Sequence, residues 1–143
     1  VGRMCLALVQ IAFAMLVGTV LFQMNWGGSV PMVLVVLFGW AAFNASLAVV
    51  LAGWARTPAQ ATGVGVLATQ LLAALGGCWW PIEITPAWMQ TFAKALPTGW
   101  AMDALHRLVT FGDGPVTALP HVAALVVGAL VLGAWGGRIF RYQ

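Results

Sequence analysis

Long apolar runs, separated by short polar or glycine-rich breaks, dominate the sequence. Four runs, residues 4–24, 30–54, 63–80 and 116–135, are long enough to cross a membrane as helices that rise about 1.5 Å per residue. Pro31 stands in the first turn of the second run, where its missing N–H costs no hydrogen bond. Because lipid offers a backbone no hydrogen-bond partner, each run predicts a transmembrane α-helix.

Residues 81–114, between the third and fourth runs, predict two short amphipathic helices that Pro97 separates. Their apolar positions recur at helical spacing and are Met89, Phe92, Ala93 and Leu96, then Ala101, Ala104, Leu105 and Leu108. Thr85 and Thr98 are expected N-caps, and Gly112 is the expected C-terminal stop. Each helix of about ten residues is ~15 Å long, too short to cross. We therefore expect a re-entrant hairpin in the outer leaflet.

Composition assigns the chain to a membrane. Hydrophobic residues make up 62% of the sequence and charged residues 6%, with a mean hydropathy of +0.97. Soluble domains carry about 25% charged residues, so these few charges could not cover a water-exposed surface. The expected fold class is an all-α polytopic membrane protein with four transmembrane helices and the hairpin of residues 81–114, forming one domain over residues 1–143.

The charged residues predict the orientation of the spans. One side of the expected topology receives Arg3, Arg56, Arg138 and Arg141. The other side receives Lys94, Arg107 and the acidic residues Glu83, Asp103 and Asp113. Since basic residues favour the cytoplasmic side, both ends of this piece are expected in the cytoplasm, with the hairpin outside a bacterial inner membrane. A net charge of +3 is too small to indicate a nucleic-acid partner.

Polar and small residues within the spans indicate how the helices pack. Small residues four apart, which favour close helix approach, are Ala129, Gly133 and Gly137. Asn44, Ser46 and Gln70 are polar groups near bilayer depth and are candidates to line a substrate path. The alternative for them is hydrogen bonding between helices, worth about 0.6 kcal/mol on average. No charge is expected at this depth, which disfavours a carrier driven by protons or ions.

The hairpin holds the remaining candidates. Glu83, near its beginning, is either a lining residue of an exit path, a partner across a dimer, or a solvated carboxylate at the membrane interface. Asp103 and Arg107 are four residues apart and are expected to form a local ion pair. His106 lies beside them in the sequence. His121, at the start of the fourth run, is expected to be an interface residue.

The sequence gives little support to a catalytic interpretation. It contains no Gly-x4-Gly-Lys-Ser/Thr loop, no Gly-x-Ser-x-Gly motif and no Cys/His cluster for a metal. We therefore expect no enzyme activity and no cofactor bound by this chain. Two alternatives from other classes remain open. One is an intramembrane enzyme, which needs a Ser/His or His/Asp site at one depth, and the other is a non-catalytic assembly subunit of a membrane complex.

Prolines and tryptophans around the hairpin carry a family resemblance. The segments are Gly76-Gly77, Trp79-Trp80-Pro81, Pro86-x-Trp88-Met89-Gln90, Leu96-Pro97-Thr98-x-Trp100 and the ending Arg138-x-Phe140-Arg141-Tyr142. In this pattern the chain resembles the ABC-2 type permeases, the membrane subunits of type V-fold ABC exporters, over the last four of their six spans. The chain begins at Val1 without an initiator Met or a leader, so we expect a C-terminal piece of a longer protein.

The resemblance implies a permease that forms the path of an ATP-driven exporter for a hydrophobic or amphiphilic substrate. Such permeases dimerise with a second copy or a homologous permease, in contact with membrane lipid. They also pair with a separate ATPase, which binds ATP and Mg²⁺ and contacts a coupling helix between the first two spans. The hairpin is implied to be an outer gate, with expected residues Pro81, Glu83, Pro86, Trp88, Pro97, Trp100 and Asp103.

Overall fold

A computed structural model describes the backbone of residues 2–141 and the side chains of residues 5–138, so Tyr142 of the quoted ending lies outside the described residues. The described chain is helical, and no strand occurs within residues 2–141. The helices are α1 (Gly2–Phe22), α2 (Val30–Trp54), α3 (Pro58–Leu75), α4 (Ala87–Ala95), α5 (Pro97–Leu105) and α6 (Leu119–Arg141). Short 3₁₀ turns at Ile82–Ile84 and Pro115–Ala118, and a π-helical turn at His106–Thr110, complete the connections.

The four long helices, α1, α2, α3 and α6, are apolar and long enough to cross a membrane. The expected fold class, an all-α polytopic membrane protein, is therefore confirmed. α3 begins and ends earlier than the run 63–80 indicated. It begins earlier because Thr57 caps it, with the side chain accepting a hydrogen bond from the Gln60 N–H at 3.2 Å. It ends earlier because Gly77, at φ +82°, turns the chain away.

α2 and α6 form the central helix pair. The facing residues along their contact are Gly39 and Leu125, Phe43 and Gly128, Ser46 and Gly133, and Val49 and Gly136. Of the small residues expected to pack, Ala129 is buried and Gly133 faces α2, but a Cβ on Gly137 would meet nothing within 4 Å. A spacing of four drifts around a helix of about 3.6 residues per turn, so the third position leaves the interface.

α1 and α3 lie at the periphery of the described bundle. Only 6% of the spanning segment of α1 is buried, and none of that of α3 is, against 28% for α2. A helix this exposed and this apolar must face lipid or further protein, because water would be an unfavourable neighbour. Within the described residues, α1 and α3 are therefore two exposed apolar helices beside the packed pair of α2 and α6.

The connection from α3 to α6, residues 76–118, is called here the insert, and the end of the bundle that carries it the insert end. The loop 23–29 lies at the same end, because a Cβ on Gly27 would overlap the Leu108 backbone carbonyl. At the opposite end the rings of Trp54 and Trp135 meet edge to face, with centroids 5.8 Å apart. The spans thus alternate in direction, as four consecutive crossings require.

Gly128→Ala is expected to weaken the central helix pair. The added Cβ would lie 2.8 Å from the Phe43 ring, so the ring or a helix must shift, at a cost of about 1–3 kcal/mol. Gly137→Ala is the matched control on the same helix. The measurement is the thermal unfolding midpoint of the full-length protein in detergent. Equal midpoints for the two variants would contradict the assignment of Gly128 to the interface.

Candidate functional site

α5 packs inside the bundle rather than on its surface. Ala101 is buried in a cluster with Phe43 of α2 and Leu125 of α6. Ala104 and Leu108 are buried in a second cluster with Val33 and Val36 of α2 and Ala118. The apolar face predicted for this short helix is therefore confirmed, and it is directed at the central helix pair. In α4 the corresponding face is only partly used, because Met89 and Ala93 are buried but Phe92 is 58% exposed.

One buried hydroxyl fastens α5 to the end of α3. The Thr98 side chain is 1% exposed, and its Oγ1 donates a hydrogen bond to the carbonyl oxygen of Leu72 at 2.8 Å. Gly76 permits this approach, because a Cβ there would overlap the Thr98 side chain. The expectation that Thr98 caps α5 was wrong. Its hydroxyl is a second donor to a carbonyl in the last turn of another helix, which also accepts from the Gly76 N–H at 2.9 Å. Sequence spacing could not reveal this contact.

Prolines and backbone carbonyls set the boundaries of the two short helices. The Thr85 hydroxyl donates to Ile82 O at 2.6 Å, so it does not cap α4 as expected. Pro86 precedes that helix instead, and its carbonyl accepts from the Met89 N–H at 2.9 Å. α4 ends at Ala95 because Pro97 disfavours helical geometry in the residue before it.

A π-helical turn carries α5 into the loop that follows. The Phe111 N–H donates to His106 O at 3.0 Å, and the Asp113 N–H donates to Arg107 O at 2.8 Å. Gly112, at φ +68°, then ends the helical stretch, which confirms the predicted stop. Single π turns often occur at functional sites, since they widen the helix and redirect its side chains. Here the turn begins with His106 and Arg107.

Asp103 is the centre of an ionic cluster that joins α5 to α6. Its Oδ2 accepts from Arg107 Nε at 3.0 Å, which confirms the predicted local pair, and from His121 Nε2 at 2.7 Å. His121 Nδ1 is buried and has no hydrogen-bond partner among the described residues. The neutral tautomer with its proton on Nε2 fits both facts, since it leaves Nδ1 with a lone pair and no N–H. His121 was expected to be an interface residue, and its contact with Asp103 was not anticipated.

A cavity of about 360 Å³, called here the insert cavity, opens between the insert and the adjacent ends of α3 and α6. Its charged and titratable lining residues are Glu83, Lys94, Asp103, His106, Arg107 and His121. Trp100 adds an aromatic wall, and its Nε1 donates to Lys94 O at 2.8 Å. Within the described residues no group of His, Cys, Asp and Glu side chains could hold a metal ion.

The residues predicted for a gate fall into two groups. Glu83, Trp100 and Asp103 line the insert cavity. The other four do not line it and are Pro81, Pro86, Trp88 and Pro97. Three of these shape the backbone, since Pro81 precedes a 3₁₀ turn and the other two prolines precede or begin a short helix. Trp88 is 60% exposed and contacts the Phe92 ring on the surface of α4.

The polar residues predicted near bilayer depth do not share one cavity. Asn44 Nδ2 donates to Trp40 O at 2.9 Å within α2. Ser46 faces α6, where a Cβ on Gly133 would lie 3.4 Å from its Oγ. Gln70 lines a separate cavity of about 420 Å³ between α2 and α3, together with Thr62, Thr69 and small or aliphatic residues. Neither Asn44 nor Ser46 lines that cavity.

These features define a class of protein, a multi-pass helical membrane protein with two short helices packed between its last two described spans. The family model of the ABC-2 type transporter matches residues 1–109, and the chain therefore belongs to the ABC-2 type transporter family. The matched region contains α1 to α5, and with them most of the insert cavity.

A curated relative adds detail to this assignment. The chain is 32% identical over 122 residues to the linearmycin resistance permease protein LnrN of Bacillus subtilis (strain 168). The match covers 85% of this chain and 31% of the relative, so the chain spans less than a third of that protein's length. No solved structure matches the chain significantly.

Thr98→Val is expected to destabilise the protein more than Thr98→Ser does. Valine keeps the shape but removes the hydroxyl donor, a loss of about 1 kcal/mol for one buried hydrogen bond. The Leu72 carbonyl keeps its bond from the Gly76 N–H in both variants. Serine loses a methyl group and keeps the donor. The measurement compares unfolding midpoints of the two full-length variants in detergent. A serine variant less stable than the valine variant would show that the hydrogen bond contributes little.

Proposed function

We propose that this chain is a membrane-spanning part of a permease subunit in an ATP-driven exporter, and that the insert is its outer gate. The observation that carries this proposal is the position of α5. It is a helix too short to cross a membrane, yet its apolar face is buried against α2 and α6 and its beginning is bonded to α3. An element held between the ends of three spans responds when those spans shift relative to one another.

The polar contacts of the insert suit a part that moves. Thr98 bonds to α3, and Asp103 bonds to His121 of α6, whereas the remaining contact of α5 with the spans is apolar. These two hydrogen bonds form only when α5 occupies one position and break when it moves away. They therefore favour discrete positions of α5 over a continuous range. The insert cavity beneath provides space into which α4 and α5 can shift. The proposed gate residues are Glu83, Trp100 and Asp103 at the cavity and Pro81, Pro86, Trp88 and Pro97 around it.

An external energy source agrees with the charge distribution of the spans. The described charged side chains are Arg56 and Arg138 at one end and those of the insert at the other. A carrier driven by protons or ions usually keeps ionisable groups inside the membrane. We therefore assign ATP and Mg²⁺ to a partner ATPase. Arg56 and Arg138 favour a cytoplasmic position for their end of the bundle in a bacterial inner membrane.

A second permease and lipid are proposed to cover the exposed helices. α1 and α3 bury almost none of their apolar surface within the described bundle. A second copy, or a homologous permease, together with the spans that precede this chain, would cover part of that surface. Asn44, Ser46 and Gln70 are proposed to line the path in such an assembly. The relative is named as a linearmycin resistance permease, which supports a role for this chain in transport. That the substrate is hydrophobic or amphiphilic is our proposal from the family resemblance.

Co-purification tests the exporter assignment. The full-length permease, expressed with a candidate ABC ATPase from the same genome, is expected to form a stable complex in which the permease raises ATP hydrolysis several-fold. An ATPase variant with the lysine of its phosphate-binding loop replaced should assemble equally well and hydrolyse no ATP. The exporter assignment fails if no complex forms, or if hydrolysis is the same without the permease.

Crosslinking tests the gate. Asp103→Cys and His121→Cys are combined in a protein without native cysteines, and a short cleavable bifunctional thiol reagent joins α5 to α6. Export in reconstituted vesicles is expected to fall to background and to return when the linker is cleaved. Each single-cysteine variant treated with the reagent controls for modification alone. Full export by the crosslinked protein would show that this part of the insert does not move during transport.

A further inference from the structure

The insert cavity contains charged side chains that the bundle does not use. Asp103 bonds to both Arg107 and His121. Glu83 and Lys94 line the same cavity and are both exposed. Neither the Glu83 carboxylate nor the Lys94 ammonium has an ion-pair or hydrogen-bond partner among the described residues. They are also not paired with each other, so their charged atoms are more than 4.0 Å apart. The cavity, which is open to the surface, thus has an unpaired anion and an unpaired cation on its wall.

The balance of charge around the cavity selects the class of ligand. The lining residues include the cations Lys94 and Arg107 and the anions Glu83 and Asp103, so the wall is neutral when both histidines are neutral. A ligand with a single charge would be attracted by the side chains of opposite charge on this wall and repelled by those of like charge. A ligand that carries both charges gains at Glu83 and at Lys94 simultaneously through charge-assisted hydrogen bonds. His106 adds a further group able to bond an anion.

The position of the cavity at the level of the lipid head groups indicates that such a ligand carries an apolar tail. Trp79 and Trp80 are exposed next to the cavity-lining Gly77, and tryptophans of this kind mark the level of lipid head groups. Phe111 lines the cavity and is 70% exposed, so an apolar tail can leave the site over an apolar rim. A volume of about 360 Å³ is at the lower end of the range for ligand pockets, which suits a head group without its tails.

We propose that the insert cavity binds the zwitterionic head group of an amphiphile, with its ammonium at Glu83 and its phosphate or carboxylate at Lys94 and His106. Two sources have this chemistry, namely a membrane lipid such as phosphatidylethanolamine and a transported amphiphile with the same head group. Occupation by either would fill the space beneath α4 and α5. This binding site goes beyond the proposed gate and does not depend on ATP.

Lipid retention by the full-length permease, without the ATPase, tests the site. Permease extracted from nanodiscs with equal amounts of phosphatidylethanolamine and phosphatidylglycerol is expected to retain the zwitterionic lipid preferentially, as measured by native mass spectrometry. Soluble glycerophosphoethanolamine should displace it. Glu83→Gln and Lys94→Gln should each weaken retention about tenfold, the effect of losing roughly one charged contact. The exchanged pair Glu83→Lys with Lys94→Glu should recover much of the preference.

Asp113→Asn is the matched control, since Asp113 is an acid of the same insert that does not line the cavity. Equal retention of the two lipids by the wild type, or equal loss in Asp113→Asn and Glu83→Gln, would overturn the proposal. A second arm adds the ATPase, ATP and Mg²⁺ and distinguishes the two sources. A transported amphiphile is depleted during turnover, whereas a resident lipid is retained. Because the first arm needs no ATPase, the site can stand if the exporter assignment fails.

Discussion

The hydrogen bond from the Thr98 hydroxyl to the Leu72 carbonyl is the contact on which the insert end depends. It places the beginning of α5 against the end of α3, so that the apolar face of α5 reaches α2 and α6. That position in turn sets Asp103 opposite His121 and forms one wall of the insert cavity. The Leu72 carbonyl also accepts a hydrogen bond from the Gly76 N–H at 2.9 Å, so the same carbonyl takes part in the last turn of α3 and in positioning the proposed gate.

The rest of the bundle consists of one closely packed helix pair, α2 and α6, and two exposed helices, α1 and α3. Small residues of α6 let α2 approach closely, and Phe43 and Leu125 fill the space between the two helices. α1 and α3 lack comparable contacts within the described residues. The positions of α1 and α3 can therefore change with less loss of packing than those of α2 and α6. Because α3 also carries the acceptor for Thr98, a displacement of α3 is transmitted directly to α5.

Local patterns predicted part of this structure, and contacts between distant segments decided the rest. Apolar run length identified the four spans, and helical spacing identified the apolar face of α5 and the Asp103–Arg107 pair, because these depend on neighbouring residues. The contacts of Thr98 and His121 were missed, because each partner is distant in sequence and belongs to another helix. The start of α3 was missed because Arg56 and Gln60 read as a polar break, whereas the Gln60 N–H bonds to the Thr57 cap.

The central claim is that the insert changes position relative to the α2–α6 pair during the ATP cycle. Pulsed electron paramagnetic resonance measures this directly, with one spin label at Thr91, exposed on α4, and another at Val127, exposed on α6. A reference pair at Val35 and Val127 reports on the central helices. The account predicts a distance change on trapping the ATP-bound complex for the first pair only. Unchanged distances for both pairs, in a complex that hydrolyses ATP, would contradict it.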